Sequence, residues 1–325
     1  MPQTRSPFWR RSLPWVVSAG ALAYVFAATD WRALLEATEG ANLPLFVAYT
    51  TVDKLIFFLW WGILQAAAVR RFVAPISTRS VVALRGGAEL LRAINNPVAD
   101  AGFLYGMAQL TRGHLASIVA AVGVPLACHC SVLLLQASVS MFFLDGGPLA
   151  NRGVLITVGV GWTVVACVAA SVRLGLWTRL LETIGLAAWL RNVELRSLLP
   201  FVGWFALLAA FDVLIQGLAA RAFGVVIDWW ALAARIPILY LALSLPSFAN
   251  YGTRELAWAT SFSEFAPRET LLAYALATNT VFLLLHVVIG VIFLPRAIAL
   301  ITEMRRARRA GERLPAPLLH DASDP

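Results

Sequence analysis

The sequence predicts an all-α polytopic membrane protein, with about six full transmembrane helices plus two oppositely oriented re-entrant or broken helix hairpins, arranged as an inverted repeat. Three observations predict it. The 325 residues are 60% hydrophobic and 14% charged, with a mean hydropathy of +0.75. Apolar runs recur at lengths near the ~20 residues that cross a ~30 Å hydrocarbon layer. The basic residues fall between those runs and are strongly skewed to one side.

Taken in order, residues 1–12 carry Arg5, Arg10 and Arg11 and read as a cytoplasmic N-terminus. Leu13–Ala28 is the first apolar run; it imitates a signal peptide, but the end-to-end charge pattern favours a retained helix. Leu43–Val69 is long enough to span, although Asp53 and Lys54 interrupt it, and Arg70–Arg71 close it. Val81–Ile94 and Val98–Leu110 are each too short to cross. With turn signals at Gly86-Gly87 and Asn95-Asn96-Pro97 they suit two half-helices of a hairpin.

Leu115–Leu144 and Gly153–Val172 are further spans, followed by an amphipathic linker to Arg196. Leu198–Ala219 spans with Asp212 inside it. Trp229–Leu245 is apolar except for Arg235 and runs into Pro246, Gly252, Arg254 and Glu255, a broken stretch with full charges. Leu256–Phe262 returns as a short apolar piece, and Leu271–Leu294 is the last span. The transmembrane domain is therefore 13–294, with repeats at about 13–144 and 153–294. A basic cytoplasmic tail over 295–325 is expected to be disordered distally.

This arrangement puts nineteen arginines on the cytoplasmic side and only Arg32, Arg152, Arg221 and Arg268 outside, so both termini are expected in the cytoplasm. The net charge of +8 and pI near 10.1 then read as a topology signal rather than a nucleic-acid surface. The first half starts inside and the second outside, so the halves are inverted. Each hairpin carries Gly-x-x-Glu-Leu, at Gly86–Leu90 and Gly252–Leu256. Inverted repeats with broken helices place a transporter's site at the repeat interface.

Broken backbone and charges at membrane depth are tolerated mainly where protein or a water-filled cavity surrounds them. Arg254 is thus the leading contact for an anionic phosphate, with Glu255 as its partner and Gly252 and Pro246 shaping the turn. Arg85, Glu89 and Arg92 share one helix face. Their spacing fits a second lobe of the site and a cytoplasmic surface helix equally. Arg235 fits snorkelling as well as a cavity role. Asp53 and Asp212 are candidates for proton coupling, whereas His286 reads as a packing histidine.

Cys128-His129-Cys130 places its three side chains in different directions on a helix, so no metal site is expected. The three cysteines form no disulfide framework. No nucleotide loop, Ser/His/Asp set or zinc-protease spacing appears, which argues against an ATPase or common hydrolase, and no cofactor is implied.

The stretch Ser244-Leu-Pro-Ser247, then Gly252-Thr-Arg-Glu-Leu256, then a span ending in Val287-Val-Ile-Gly290, resembles the lysylphosphatidylglycerol synthase transmembrane-region family. These are flippase-like membrane proteins that include the flippase module of the multiple peptide resistance factor. Pro246, Gly252, Arg254 and Glu255 match its pattern. Arg85-Gly-Gly-Ala-Glu89-Leu-Leu-Arg92 is a looser match to its first motif, with one extra residue between Arg85 and Glu89, and Phe248-Ala249-Asn250 stands where glycines are usual. The resemblance covers most of the chain in topology and two short motifs in residues.

Too few residues follow the last span for a synthase domain. The resemblance therefore implies the membrane module alone, not an enzyme: translocation of an anionic lipid, or of a polyprenyl-linked lipid carrying a glycan, across the cytoplasmic (inner) membrane. Two alternatives stay open. One is a membrane-embedded enzyme acting on a lipid headgroup, with Glu255 or Glu89 as general base. The other is a non-transporting scaffold for a glycosyltransferase or synthase partner, docked through the Arg-rich tail.

Overall fold

The computed structural model describes residues 31–94, 96–111, 115–146, 151–175, 194–243 and 252–310. Within them the fold is entirely helical. The expected first span Leu13–Ala28, the linker arginines Arg179 and Arg191, Pro246 and the distal tail lie outside the described residues.

A short amphipathic helix, α1 (Trp31–Glu39), leads into α2 (Leu43–Phe72). Asn42 caps α2 by accepting the Leu45 N–H at 3.2 Å, Pro44 sits where an N–H would have no partner, and Arg70 and Arg71 sit at the negative end of its dipole. Next come α3 (Thr78–Arg92), capped by Ser77, and α4 (Asn96–Thr111). The long helices α5 (Leu115–Ser140) and α6 (Arg152–Arg173) follow. Then come α7 (Leu199–Ala222), the short α8 (Trp229–Leu243) and α9 (Thr253–Ser261), and finally α10 (Arg268–Ala310).

Among the described residues five helices are long and apolar enough to cross a membrane: α2, α5 with the 3₁₀ turn that extends it, α6, α7 and α10. They coincide with the five expected spans that fall in described residues. The two short pairs, α3–α4 and α8–α9, occupy the two expected hairpin positions.

Two expectations need correction. Gly86 and Gly87 do not form a turn; they lie inside α3. A Cβ on Gly86 would come within 2.4 Å of the Phe293 ring, and one on Gly87 within 2.6 Å of the Ala297 methyl. The glycines let α3 and α10 approach closely, the usual device for packing helices where lipid offers no competing hydrophobic drive. Gly290 completes the crossing from the other side, where a Cβ would stand 2.7 Å from the Leu90 backbone nitrogen. Nor does the last helix stop at Leu294. α10 runs through Pro295 to Ala310, so the tail arginines Arg296, Arg305, Arg306, Arg308 and Arg309 ride on it.

Proline inside a helix removes a donor and frees a carbonyl one turn back. In α8 the proline is Pro237, and the freed carbonyl is that of Ala233. Gln136 of α5 donates to that oxygen at 2.8 Å. An otherwise orphaned group in an apolar layer is thus satisfied by a neighbouring helix.

The core has three apolar clusters. One joins α5, α7, α8, α9 and the start of α10 around Phe262, Leu271 and Leu272. A second holds α3, α4 and the distal half of α10 around Met107 and Leu110. The third lies between α2, α5 and α7 around Phe205 and Leu208. α6 is peripheral, with only 11% of its apolar window buried.

Candidate functional site

Two of the expected acids converge. Asp53 sits eleven residues into α2, roughly 15 Å from its start at 1.5 Å per residue, which is half of a ~30 Å apolar layer. Asp212 sits near the middle of α7. Both line one cavity of about 150 Å³ between α2, α7, α8, α9 and α10, together with Lys54, Tyr240, Arg254 and Phe282.

Asp212 is bound on both oxygens, by Gln216 Nε2 at 2.7 Å and by the Tyr240 hydroxyl at 3.1 Å. Asp53 is not: its Oδ1 is buried with no hydrogen-bond partner. Thr50 and Tyr274 add polar edges, and Phe57 and Trp258 supply apolar wall.

Arg254 enters from α9. That helix begins at Gly252, whose φ of +84° suits a residue without Cβ. The Glu255 carboxylate reaches back one turn and accepts the Gly252 N–H at 2.7 Å, while its other oxygen accepts from Asn279 Nδ2 at 2.7 Å. Glu255 is therefore the N-terminal clamp of α9 and its tie to α10. It is not the ion-pair partner of Arg254 that adjacency in the sequence suggests. Consecutive residues on a helix diverge, and position three of the first turn favours an acid that bonds the cap.

Arg254 is 9% exposed, and its Nε has no hydrogen-bond partner. Its guanidinium lies 4.7 Å from the Phe282 ring centroid. Among the described residues no carboxylate stands within ion-pair distance of it.

The other expected cationic lobe is a closed network. Glu89, 1% exposed, accepts from Lys54 Nζ at 3.0 Å and from Arg92 Nε at 3.0 Å, and bonds His286 Nδ1 at 2.7 Å. Arg92 continues to Asp100 of α4 at 2.7 Å, which ties the arms of the first hairpin together. Arg85 donates to Gln65 Oε1 at 2.9 Å and lies over Trp61. Of the two readings that the Arg85–Glu89–Arg92 spacing allowed, a solvated surface helix is excluded by this burial. Neither Arg85, Glu89 nor Arg92 lines the cavity, however.

Lys54 belongs to both places: it lines the cavity and ends on Glu89. Lys54 and Arg254 approach the same Phe282 ring, at 5.9 and 4.7 Å.

Arg235 lies elsewhere. It donates to the Ser261 carbonyl at 3.0 Å and to Glu264 at 2.7 Å, and it stacks near Phe262 and Phe265. It braces α8 against the end of α9, away from the cavity. Pro246 falls outside the described residues, and Gly252 shapes the site without lining it. Among the described residues no three His, Cys, Asp or Glu side chains come together where they could hold a metal ion. His129 instead packs among Phe57, Trp61, Phe205 and Tyr240.

Sequence reasoning missed Lys54, Tyr240, Phe282, Asn279 and the role of His286. Lys54 left a local signal, a charge inside an apolar span, as did Gln216, a polar residue one helical turn after Asp212. Compared with known proteins, the chain matches no family model, no curated protein and no solved structure.

Proposed function

We propose that the chain is a flippase-like translocator that binds an anionic headgroup, a phosphate above all, in the mid-membrane cavity and carries it across the cytoplasmic membrane with the acyl or polyprenyl chains left in lipid. One observation carries this reading: Arg254 is buried at the wall of a cavity between five helices with its Nε unpartnered. An unpaired charge inside an apolar layer is expensive, and such residues mark substrate or ion pathways. A planar guanidinium with free donors suits phosphate oxygens.

The α9 N-terminus adds partial positive charge beside it. The cavity of about 150 Å³ has room for a phosphate-sized group. The two hairpins would belong to the two inverted halves, both termini would be cytoplasmic, and the resemblance on Gly252, Arg254 and Glu255 points the same way.

Asp53 and Asp212 would couple the step to a proton. They face the same cavity, and Asp53 has an oxygen free to take one. The enzymatic alternative draws no support from Glu255, whose carboxylate is already held by Gly252 and Asn279.

The test is a reconstituted translocation assay with fluorescent phosphatidylglycerol and phosphatidylcholine. Wild type is expected to move the anionic lipid faster, and Arg254→Ala to lose at least about tenfold, the equivalent of one charge-assisted contact of about 1.5 kcal/mol or more. Equal rates for both proteins would overturn the proposal.

A further inference from the structure

A second hollow lies further along α2, toward its C-terminal end. It measures about 570 Å³ and runs between α2 and α7. Its walls are apolar and aromatic, with Trp60, Ile63, Phe201 and Trp204 among them, and Arg70 and Arg71 stand at one end. Trp60 and Trp204 meet edge to face at 5.3 Å. Trp60 precedes Arg70 by ten residues on the same helix, so the apolar wall extends roughly 15 Å from the arginines toward the membrane interior.

The two arginines are not equivalent. Arg70 is engaged, donating to Thr78 Oγ1 at 2.8 Å and to the Ile76 carbonyl at 3.3 Å. Arg71 is exposed. It closes α2, and the hollow's opposite wall begins at Pro200 and Phe201 in the first turn of α7. Leu198 caps that helix without a side-chain hydrogen bond, so its positive end is uncompensated by an acid or hydroxyl.

We infer that this groove is a binding site for one anionic phospholipid, its headgroup on Arg71 and an acyl chain along Trp60, Ile63 and Trp204. The argument is charge complementarity along one axis. The arginine end is cationic and lies at the end of a membrane-spanning helix, while the remainder is apolar, which is the inverse image of an anionic amphiphile. Basic pockets between transmembrane helices hold anionic headgroups for this reason. The volume is within the ordinary range of built ligand sites. None of its residues lines the Arg254 cavity, so the inference stands apart from the translocation reading.

The test uses the full chain, delipidated in detergent and then supplied with phosphatidylglycerol or phosphatidylcholine at equal mole fraction. Lipid retained per chain is read by native mass spectrometry. Wild type is expected to retain phosphatidylglycerol in preference. Arg71→Gln should lower that retention about fivefold, the loss of one interfacial cation. Ala67→Trp, which fills the groove, should lower it at least as far, and the fall caused by Arg71→Gln should be the same whether or not Arg254 is also changed to Ala. Equal retention of the two lipids would overturn the inference, as would retention untouched by Arg71→Gln. Loss in Arg254→Ala alone would assign the lipid to the cavity instead. Retention unchanged in Ala67→Trp would overturn it as well.

Discussion

Glu89 and Arg254 are both ionic groups buried in apolar helices, both sit in a Gly-x-x-Glu-Leu hairpin, and their surroundings are opposites. Glu89 is answered three times, by Lys54, Arg92 and His286. Arg254 is answered by an aromatic face and has a donor without an acceptor. The Glu89 network joins α2, α3 and α10 and holds the first hairpin to the last helix. The Arg254 site joins five helices around a void. A saturated buried charge is a clasp. An unsaturated one is stabilised fully only when something else arrives. Lys54 is shared between them, so an anion in the cavity competes with Glu89 for its ammonium.

The largest effect expected from this contrast is Glu89→Ala. Removing the carboxylate that Lys54 and Arg92 share leaves Lys54 without its ion-pair partner and Arg92 with Asp100 alone, a loss of about 3 kcal/mol. Thermal unfolding of the detergent-solubilised protein should show a markedly lower Tm. An unchanged Tm would mean the network is not a clasp. Next is Gly290→Leu, which drives a side chain into the Leu90 backbone at the same crossing. Overpacking of this kind is worth about 1–3 kcal/mol. If its Tm matches wild type, α3 and α10 do not approach as closely as described.

The spans were legible because a bilayer imposes one length and one polarity on every crossing helix. The short helices α3, α4, α8 and α9 were legible as apolar pieces too short to cross. The glycine pair in α3 was misread because glycine marks both turns and close helix contacts, and only the partner decides between them; Phe293 and Ala297 lie some two hundred residues away. The end of α10 was misread because a proline stops a helix only where the freed carbonyl and the ring clash cannot be accommodated.

At the site, the Asp53 and Asp212 positions could be read from charge at depth. The pairing of Arg254 with Glu255 was assumed from adjacency, and helix geometry sends the two apart. The Lys54–Glu89–His286 group joins residues distant in sequence, and nothing in their local neighbourhoods encodes the meeting.

A smaller effect is expected at the opening of α9. Gly252→Ala puts a Cβ on a backbone with φ of +84°, a strain of about 1–2 kcal/mol. The same change tilts the N–H that Glu255 holds, so a modest Tm loss should come with a larger fall in translocation. A Tm loss with translocation intact would separate the α9 clamp from the position of Arg254.

The smallest stability effect, and the sharpest use of the comparison, belongs to Arg254→Met. The wild-type side chain gives up hydration without an ion pair, and recovers part of that through the Phe282 ring, a contact of about 0.5–2 kcal/mol. Methionine fills similar length, packs against the same ring and needs no partner. The variant's Tm in detergent is therefore expected at or slightly above that of wild type, while anionic-lipid translocation is lost. The opposite signs of Glu89→Ala and Arg254→Met in one thermal assay would divide the two charges into structural and functional. A Tm drop in Arg254→Met as deep as that of Glu89→Ala would make Arg254 a second clasp, and the cavity would lose the residue on which its function is argued.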